Sequence, residues 1–198
     1  MCMLSENGRL SSSPGGTSMV VIEPNRQMQQ LLRAMLMNYG LRSVRVFSET
    51  ESAVTSMLND PPAMVLLDWD AGPYGGRNLL KLIRHQKMYP LCLLPIIVLF
   101  AEARSRAVES ALRLGAQAAL VKPISPRSLI QYIDWVAADE RPLKLAGERY
   151  VVAGVAEQLD QENEKREQLT EAREYQAQQV AEMDSIQDDV DRILTSTF

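Results

Sequence analysis

The chain has 198 residues, of which 46% are hydrophobic and 23% charged, a composition that suits one folded domain with an extension. One histidine and two cysteines exclude a histidine-based zinc site and a disulfide framework, and they favour a reducing, cytoplasmic setting. No apolar run reaches the roughly 18 residues of a membrane span. Residues 1–18 lack the apolar stretch of a signal peptide, and we expect a disordered tail there.

The formal net charge of −4 is unevenly divided along the chain. Residues 1–155 carry 17 basic and 13 acidic side chains, whereas residues 156–198 carry 4 basic and 12 acidic ones. This division predicts a mildly basic globule followed by a strongly acidic segment. Because the basic residues are scattered and the segment is acidic, we expect no nucleic-acid partner, and the lack of a span predicts no membrane partner.

Short apolar runs alternate with segments of helical spacing along residues 19–138. The predicted strands are 19–22, 44–47, 64–68, 94–100 and 118–121. The predicted helices lie within 25–40, 48–57, 77–83, 104–114 and 125–138. Five strands that alternate with five helices predict right-handed crossovers and a doubly wound parallel sheet.

Two charged residues stand at the ends of predicted strands. Asp68 ends the third strand, and Lys122 follows the fifth, 54 positions later and directly before Pro123. The carboxyl ends of parallel strands meet at one edge of a sheet, where such proteins bind ligands. On these residues and this strand order, residues 19–138 resemble the receiver domain of two-component response regulators.

The resemblance implies a fold and a reaction. The fold is α/β and flavodoxin-like, a doubly wound five-stranded parallel sheet of order 2-1-3-4-5. Asp68 would be the phosphoacceptor, Lys122 would contact the phosphoryl group, and the Lys122–Pro123 bond would be cis. The expected activity goes no further than self-phosphorylation and dephosphorylation at Asp68.

The resemblance also implies a magnesium site at the same strand ends. The ligands would be the side chains of Glu23 and Asp68 and the backbone carbonyl of Asp70. Pro24 stands where the family has a second acid, and proline has no side-chain oxygen. We therefore expect weakened Mg²⁺ binding, which the side chain of Asp70 would restore if it reached the pocket.

Two switch positions depart from the family pattern. Phe100 stands where receivers carry Ser or Thr at the end of the fourth strand, and Ala119 stands where they carry Tyr or Phe. The large and the small residue have changed places between positions that share one cavity. We hypothesise that Phe100 permanently fills the space that a rotating aromatic would enter. A Phe100 ring that pointed to solvent would refute this.

The pattern changes after residue 138. Residues 139–149 contain Pro142 and Gly147 and are predicted to form a linker. Residues 150–198 are predicted to form a long acidic helix with a broken 3-4 repeat from Val152 to Leu194. A solvated single helix and a coiled coil that binds a partner or forms a homodimer remain open alternatives.

Two classes of function fit these features. A single-domain response regulator would take a phosphoryl group from a histidine kinase or phosphotransfer protein and act on an unknown downstream protein. A pseudo-receiver would act as an interaction or scaffold protein without phosphorylation. Asp68 and Lys122 favour the first, whereas Pro24, Phe100 and Ala119 favour the second. Binding of a small ligand near Arg104 or Arg106 is a weaker third alternative.

Overall fold

A computed structural model describes residues 18–71 and 75–196. The strands of the central sheet are β1 (Ser18–Ile22), β2 (Ser43–Phe47), β3 (Met64–Asp68), β4 (Ile96–Phe100) and β5 (Ala118–Val121). All neighbouring strands pair in parallel, and their order is β2-β1-β3-β4-β5. The predicted fold is therefore confirmed. Strand β1 begins at Ser18, and the rest of the predicted tail lies outside the described residues.

Five helices cover the two faces of this sheet. They are α1 (Arg26–Asn38), α2 (Thr50–Asn59), α3 (Gly75–Ile83), α4 (Ser105–Arg113) and α5 (Pro126–Ala137). The side chain of Asn25 accepts a hydrogen bond from the Met28 amide at the start of α1. Ser125 caps α5 in the same way, ahead of Pro126 at the first helical position. These caps begin the two helices that flank the carboxyl ends of β1 and β5.

The sheet separates two apolar clusters, as its buried strands require. Strands β3 and β4 are buried at every position, so their residues alternate between the two clusters. Leu66 and Leu99 pack in the cluster that contains α1 and α5 residues, whereas Leu67, Val98 and Phe100 pack with α2 and α3 residues. The continuous apolar runs seen in the sequence are explained by this two-sided burial.

A β-hairpin occupies the segment that was predicted to be a linker. Strands β6 (Leu143–Ala146) and β7 (Arg149–Val152) pair antiparallel around Gly147, whose φ of +62° suits glycine. The Tyr150 amide donates to the Arg84 carbonyl at 2.8 Å, and the Gln86 amide donates to the Glu148 carbonyl at 2.9 Å. The two breakers, Pro142 and Gly147, flank β6, so the linker interpretation is corrected to a hairpin that belongs to the globule.

Arg84, which follows α3 directly, is fully buried. Its guanidinium donates four hydrogen bonds of 2.8 Å, to the carbonyls of Gly115, Cys92 and Leu94 and to the side-chain oxygen of Gln117. Burial lowers the pKa of Arg84 to about 9, which leaves it cationic at neutral pH. Its partners lie in the segments that precede β4 and β5. Arg84 therefore connects these segments at the amino edge of the sheet, opposite to Asp68.

Helix α6 runs from Val155 to Ser196 and begins five residues later than predicted, because residues 149–152 form β7. Backbone contacts divide the chain into two units, Met1–Val155 and Ala156–Phe198. Every described side chain between residues 164 and 183 is exposed. The later repeat positions Gln187, Val190 and Leu194 lie outside the described side chains.

None of the described helices has the length and apolar character needed to cross a membrane.

Candidate functional site

Three of the predicted site residues meet at the carboxyl edge of the sheet. Glu23 directly follows β1, Asp68 ends β3, and Lys122 directly follows β5. Because the three strands are parallel, their carboxyl ends bring together residues that lie 54 and 99 positions apart. Glu23 and Asp68 are only 1% and 3% exposed, so both carboxylates lie in a pocket and not on the surface.

The Lys122 ammonium joins the two carboxylates. Its Nζ donates to Asp68 Oδ2 and to Glu23 Oε2, each at 2.6 Å. Burial by itself would lower the pKa of Lys122, but the hydrogen bonds and charges of Asp68 and Glu23 together raise it above its usual value. The lysine is therefore cationic, and it forms an ion pair with each of the two acidic side chains.

The other carboxylate oxygens accept backbone hydrogen bonds. Glu23 Oε1 accepts the Asn25 amide at 3.0 Å, and Asp68 Oδ1 accepts the Asp70 amide at 2.8 Å. These bonds fix the rotation of both carboxylates, so their Oε2 and Oδ2 atoms face Lys122. A carboxylate oxygen has two lone pairs, and each therefore keeps capacity for a further electropositive partner.

The Asp70 side chain does not complete a metal site. Asp70 is exposed, and it contributes its backbone amide to Asp68. Within the described ranges, no three His, Cys, Asp or Glu side chains are grouped so that they could hold a metal ion. The replacement of the ligand lost at Pro24 by this side chain therefore stays a prediction. Two carboxylates remain, which suits a cation such as Mg²⁺ that keeps several waters.

Phe100 is buried beside the acidic pocket. Its side chain is 2% exposed and packs with β3 and β4 residues of one core cluster, with Ala119 against the same cluster. Its ring centroid lies 5.1 Å from that of Trp69, and the two planes are tilted by 33°. The ring does not point to solvent, so the observation that would have refuted the cavity-filling hypothesis is absent.

One structural residue of this site, Gly76, was missed by sequence reasoning. A Cβ atom built on Gly76 would lie 2.1 Å from the Asp68 carbonyl oxygen and 3.0 Å from the Trp69 Cα. The Gly76 amide also donates to the Trp69 carbonyl at 2.8 Å. Glycine therefore lets α3 begin against the backbone that carries Asp68. The adjacent glycines Gly75 and Gly76 are the signal in the sequence that could have indicated it.

The remaining predicted features are found at the same edge. The Lys122–Pro123 peptide bond is cis, as the resemblance implied. Arg104, considered for ligand binding, instead pairs with Glu102 at 2.8 Å, and both side chains are mostly exposed. Arg106 is exposed on α4. The arrangement around Arg104 is a surface ion pair and gives no support to the small-ligand alternative.

Comparisons with known proteins agree with this geometry. The family model described as response regulator receiver domain matches residues 19–134. The phosphate regulon transcriptional regulatory protein PhoB of Klebsiella pneumoniae is 26% identical over 63% of this chain and 53% of its own length. The transcriptional regulatory protein GltR of Pseudomonas aeruginosa is 30% identical over 61% and 49%. The chain thus spans about half the length of these curated relatives.

Solved structures show the same fold. A response regulator structure from Chloroflexus aurantiacus has a TM-score of 0.58 at 22% identity, over 63% of this chain and 99% of that one. The receiver domain of the sensor histidine kinase PA1611 from Pseudomonas aeruginosa, solved with magnesium coordinated in its active site cleft, has a TM-score of 0.57 at 24% identity, over 63% and 99%. Together with the family match, the fold and the Glu23–Lys122–Asp68 cluster, this shows that the chain belongs to the response regulator receiver domain family.

Proposed function

We propose that this protein is a phosphorelay signalling module in which Asp68 accepts a phosphoryl group from a histidine kinase or phosphotransfer protein. The observation that carries the proposal is the contact between Asp68 Oδ2 and Lys122 Nζ at 2.6 Å inside a pocket of two buried carboxylates. One Asp68 oxygen attacks the phosphorus of a phosphohistidine. The P–O bond forms, the P–N bond breaks, and the leaving imidazole nitrogen keeps the electron pair.

Lys122 and the backbone prepare the nucleophile. The Lys122 ammonium offsets negative charge as three phosphoryl oxygens approach an already anionic pocket. The Asp70 amide, bonded to Asp68 Oδ1 at 2.8 Å, holds the carboxylate in one rotation. Glu23, Asp68 and the Asp70 carbonyl are the groups that would hold Mg²⁺, which supplies further charge neutralisation when bound. With Pro24 in place of an acid, we expect weak Mg²⁺ binding.

A second function, signalling without phosphorylation, is favoured by the packing of Phe100. Receivers switch through a hydroxyl and a rotating aromatic ring, as the resemblance implies. At these two positions Phe100 has no hydroxyl group and Ala119 has no aromatic ring. Phe100 is held between Trp69 and the core, so repacking it would open a void. In either function the output is contact with another protein, and phosphorylation of Asp68 distinguishes the two.

Phosphoryl transfer from a small-molecule donor tests the proposal. The full chain is incubated with acetyl phosphate and Mg²⁺, and intact-mass spectrometry detects the added phosphoryl group. We expect one phosphoryl group on the wild type and none on Asp68→Asn. Asp70→Asn is the matched control, since it makes the same change at an exposed neighbour and should leave the adduct unchanged. Absence of the adduct on the wild type would favour the phosphorylation-independent function.

A further inference from the structure

Among its described side chains, which run from residue 155 to 183 with Arg192, helix α6 exposes four large apolar ones. Leu169, Tyr175, Val180 and Met183 are 61%, 62%, 58% and 70% exposed, and they lie within 15 residues. Scattered apolar residues on a globule need no explanation, but a long helix gains most of its stability from burying such residues. The four residues therefore indicate a surface that another molecule covers.

One heptad register gathers all four exposed residues. With Leu169 and Met183 at a positions and Ala172 at d, Val180 falls at e and Tyr175 at g, next to the a/d seam. The spacing continues in the sequence with Ile186, Val190 and Ile193 at d, a and d, beyond the described side chains. This register differs from the predicted repeat, which left Tyr175 off the seam and began at Val152, a residue of β7.

Between residues 164 and 180 the acidic residues of the helix lie away from this seam. Glu164, Glu167, Glu171 and Glu174 all fall at c or f positions, on the outer side of a coiled coil. Across a parallel pair of such helices, the g residue meets the e residue five positions later on the other helix. Gln168 would then face Arg173, and Tyr175 would face Val180. Neither pair repels. The acidic g residues Glu182 and Asp189 would face Gln187 and Leu194, so no g–e pair of the segment brings like charges together.

We propose that residues 169–193 of α6 bind a second copy of this chain as a parallel two-stranded coiled coil. The orientation follows from Gln176 and Gln179, the polar residues of the seam. In parallel register each glutamine meets its own counterpart, and the two amides can hydrogen-bond across the seam. An antiparallel arrangement that kept this whole segment paired would instead place Gln176 opposite Ile186 and leave a polar group without a partner.

The dimer provides the output surface of the proposed function, but its test involves no phosphorylation, so either proposal can fail alone. Light scattering after size-exclusion chromatography should give the full chain twice its 22.2 kDa mass. Leu169→Glu/Met183→Glu should give a monomer. Ala177→Glu/Ala181→Glu adds the same charges at b and f, and it should stay dimeric. A monomeric or trimeric wild type, or dimers in both variants, would overturn the proposal.

Disulfide cross-linking tests the orientation. In a Cys2→Ser background the remaining native cysteine, Cys92, is buried, so a new cysteine reports on its own position. Gln179→Cys, at a d position, should form disulfide-linked dimers under mild oxidation, whereas Gln178→Cys, one residue away at c, should not. Equal cross-linking of the two variants, or none at position 179 in a dimeric sample, would overturn the parallel register. Circular dichroism of each variant confirms that the helix is retained.

Discussion

Replacement of Arg84 by methionine should strongly destabilise the globule. The change keeps an unbranched side chain of similar length but removes every donor of the guanidinium. Three backbone carbonyls, each bonded at 2.8 Å to this fully buried side chain, would lose a partner that water cannot replace. The fourth acceptor, Gln117 Oε1, also accepts the Ile96 amide at 2.8 Å and is not orphaned.

The size of the effect depends on two opposed terms. Each orphaned buried carbonyl costs about 1–3 kcal/mol, so three of them cost about 3–9 kcal/mol before any opposed term is subtracted. Removal of a buried cation recovers desolvation free energy, which acts in the opposite direction. We expect the hydrogen bonds to outweigh it, because all four acceptors around the Arg84 guanidinium are bonded at 2.8 Å. We expect a net loss of about 3 kcal/mol in the free energy of unfolding.

Urea denaturation followed by tryptophan emission measures this loss. Arg127→Met is the matched control, because it removes the same group from an exposed position on α5 and should change the free energy of unfolding by less than about 0.5 kcal/mol. A loss below about 1 kcal/mol in Arg84→Met, with the control unchanged, would refute the reasoning that these carbonyls depend on Arg84.

Three further changes have defined outcomes. Gly76→Ala should lower the unfolding free energy by about 1–3 kcal/mol in urea titrations, because the added Cβ would lie 2.1 Å from the Asp68 carbonyl oxygen. Phe100→Ala should cost about 3–5 kcal/mol in the same assay, since it empties a site in a packed core that is 2% exposed. Burial would raise the pKa of Asp139, but its bonds to Arg141 keep that pKa below its usual value. The Asp139 carboxylate therefore contributes stability above about pH 4, which is lost as the pH falls through its lowered pKa, and Asp139→Asn should make acid unfolding less steep.

Each of these outcomes has a result that would contradict it. A fully stable Gly76→Ala variant would mean that α3 can move away from Asp68 without cost. A loss below about 1 kcal/mol in Phe100→Ala would mean that the pocket collapses around the missing ring, against the cavity-filling hypothesis. Acid unfolding that is identical in the wild type and Asp139→Asn would show that the Arg141 contact contributes nothing between pH 2 and 5.

The sheet and its functional edge could be predicted because their signals are local. Strands buried on both faces leave unbroken apolar runs, as in β3 and β4, and the residue that ends such a run marks the carboxyl edge. Asp68 and Lys122 were placed in this way. Their position at one edge of the sheet, together with Glu23, then follows from the parallel strand order.

The hairpin could not be predicted because its support is distant in sequence. Strands β6 and β7 have four residues each, and Leu145 is 50% exposed, so no clear alternation of apolar and polar residues appears. What holds them is a backbone bond from Tyr150 to Arg84, 66 positions earlier. Arg84 itself follows a helix and resembles a surface residue in any local window.

The geometry around Asp68 was predicted only in part. The side chain of Asp70 is exposed, and its backbone amide donates to Asp68 Oδ1, a contact that the sequence does not indicate. The contact between Trp69 and Phe100 depends on the pairing of β3 with β4, which brings Asp68 beside Leu99. A single sequence supplies residue types at strand ends but not the rotations of side chains, and these rotations decide which groups meet.

The most direct test of Asp68 as phosphoacceptor is a titration with beryllofluoride, a phosphoryl mimic, in the presence of Mg²⁺. Trp69 directly follows Asp68 and serves as the reporter, and a Trp135→Phe background removes the other tryptophan. We predict a saturable change in emission that is absent in Asp68→Asn and retained in Asp70→Asn. No change at millimolar Mg²⁺, or an equal change in Asp68→Asn, would contradict the account and favour signalling without phosphorylation.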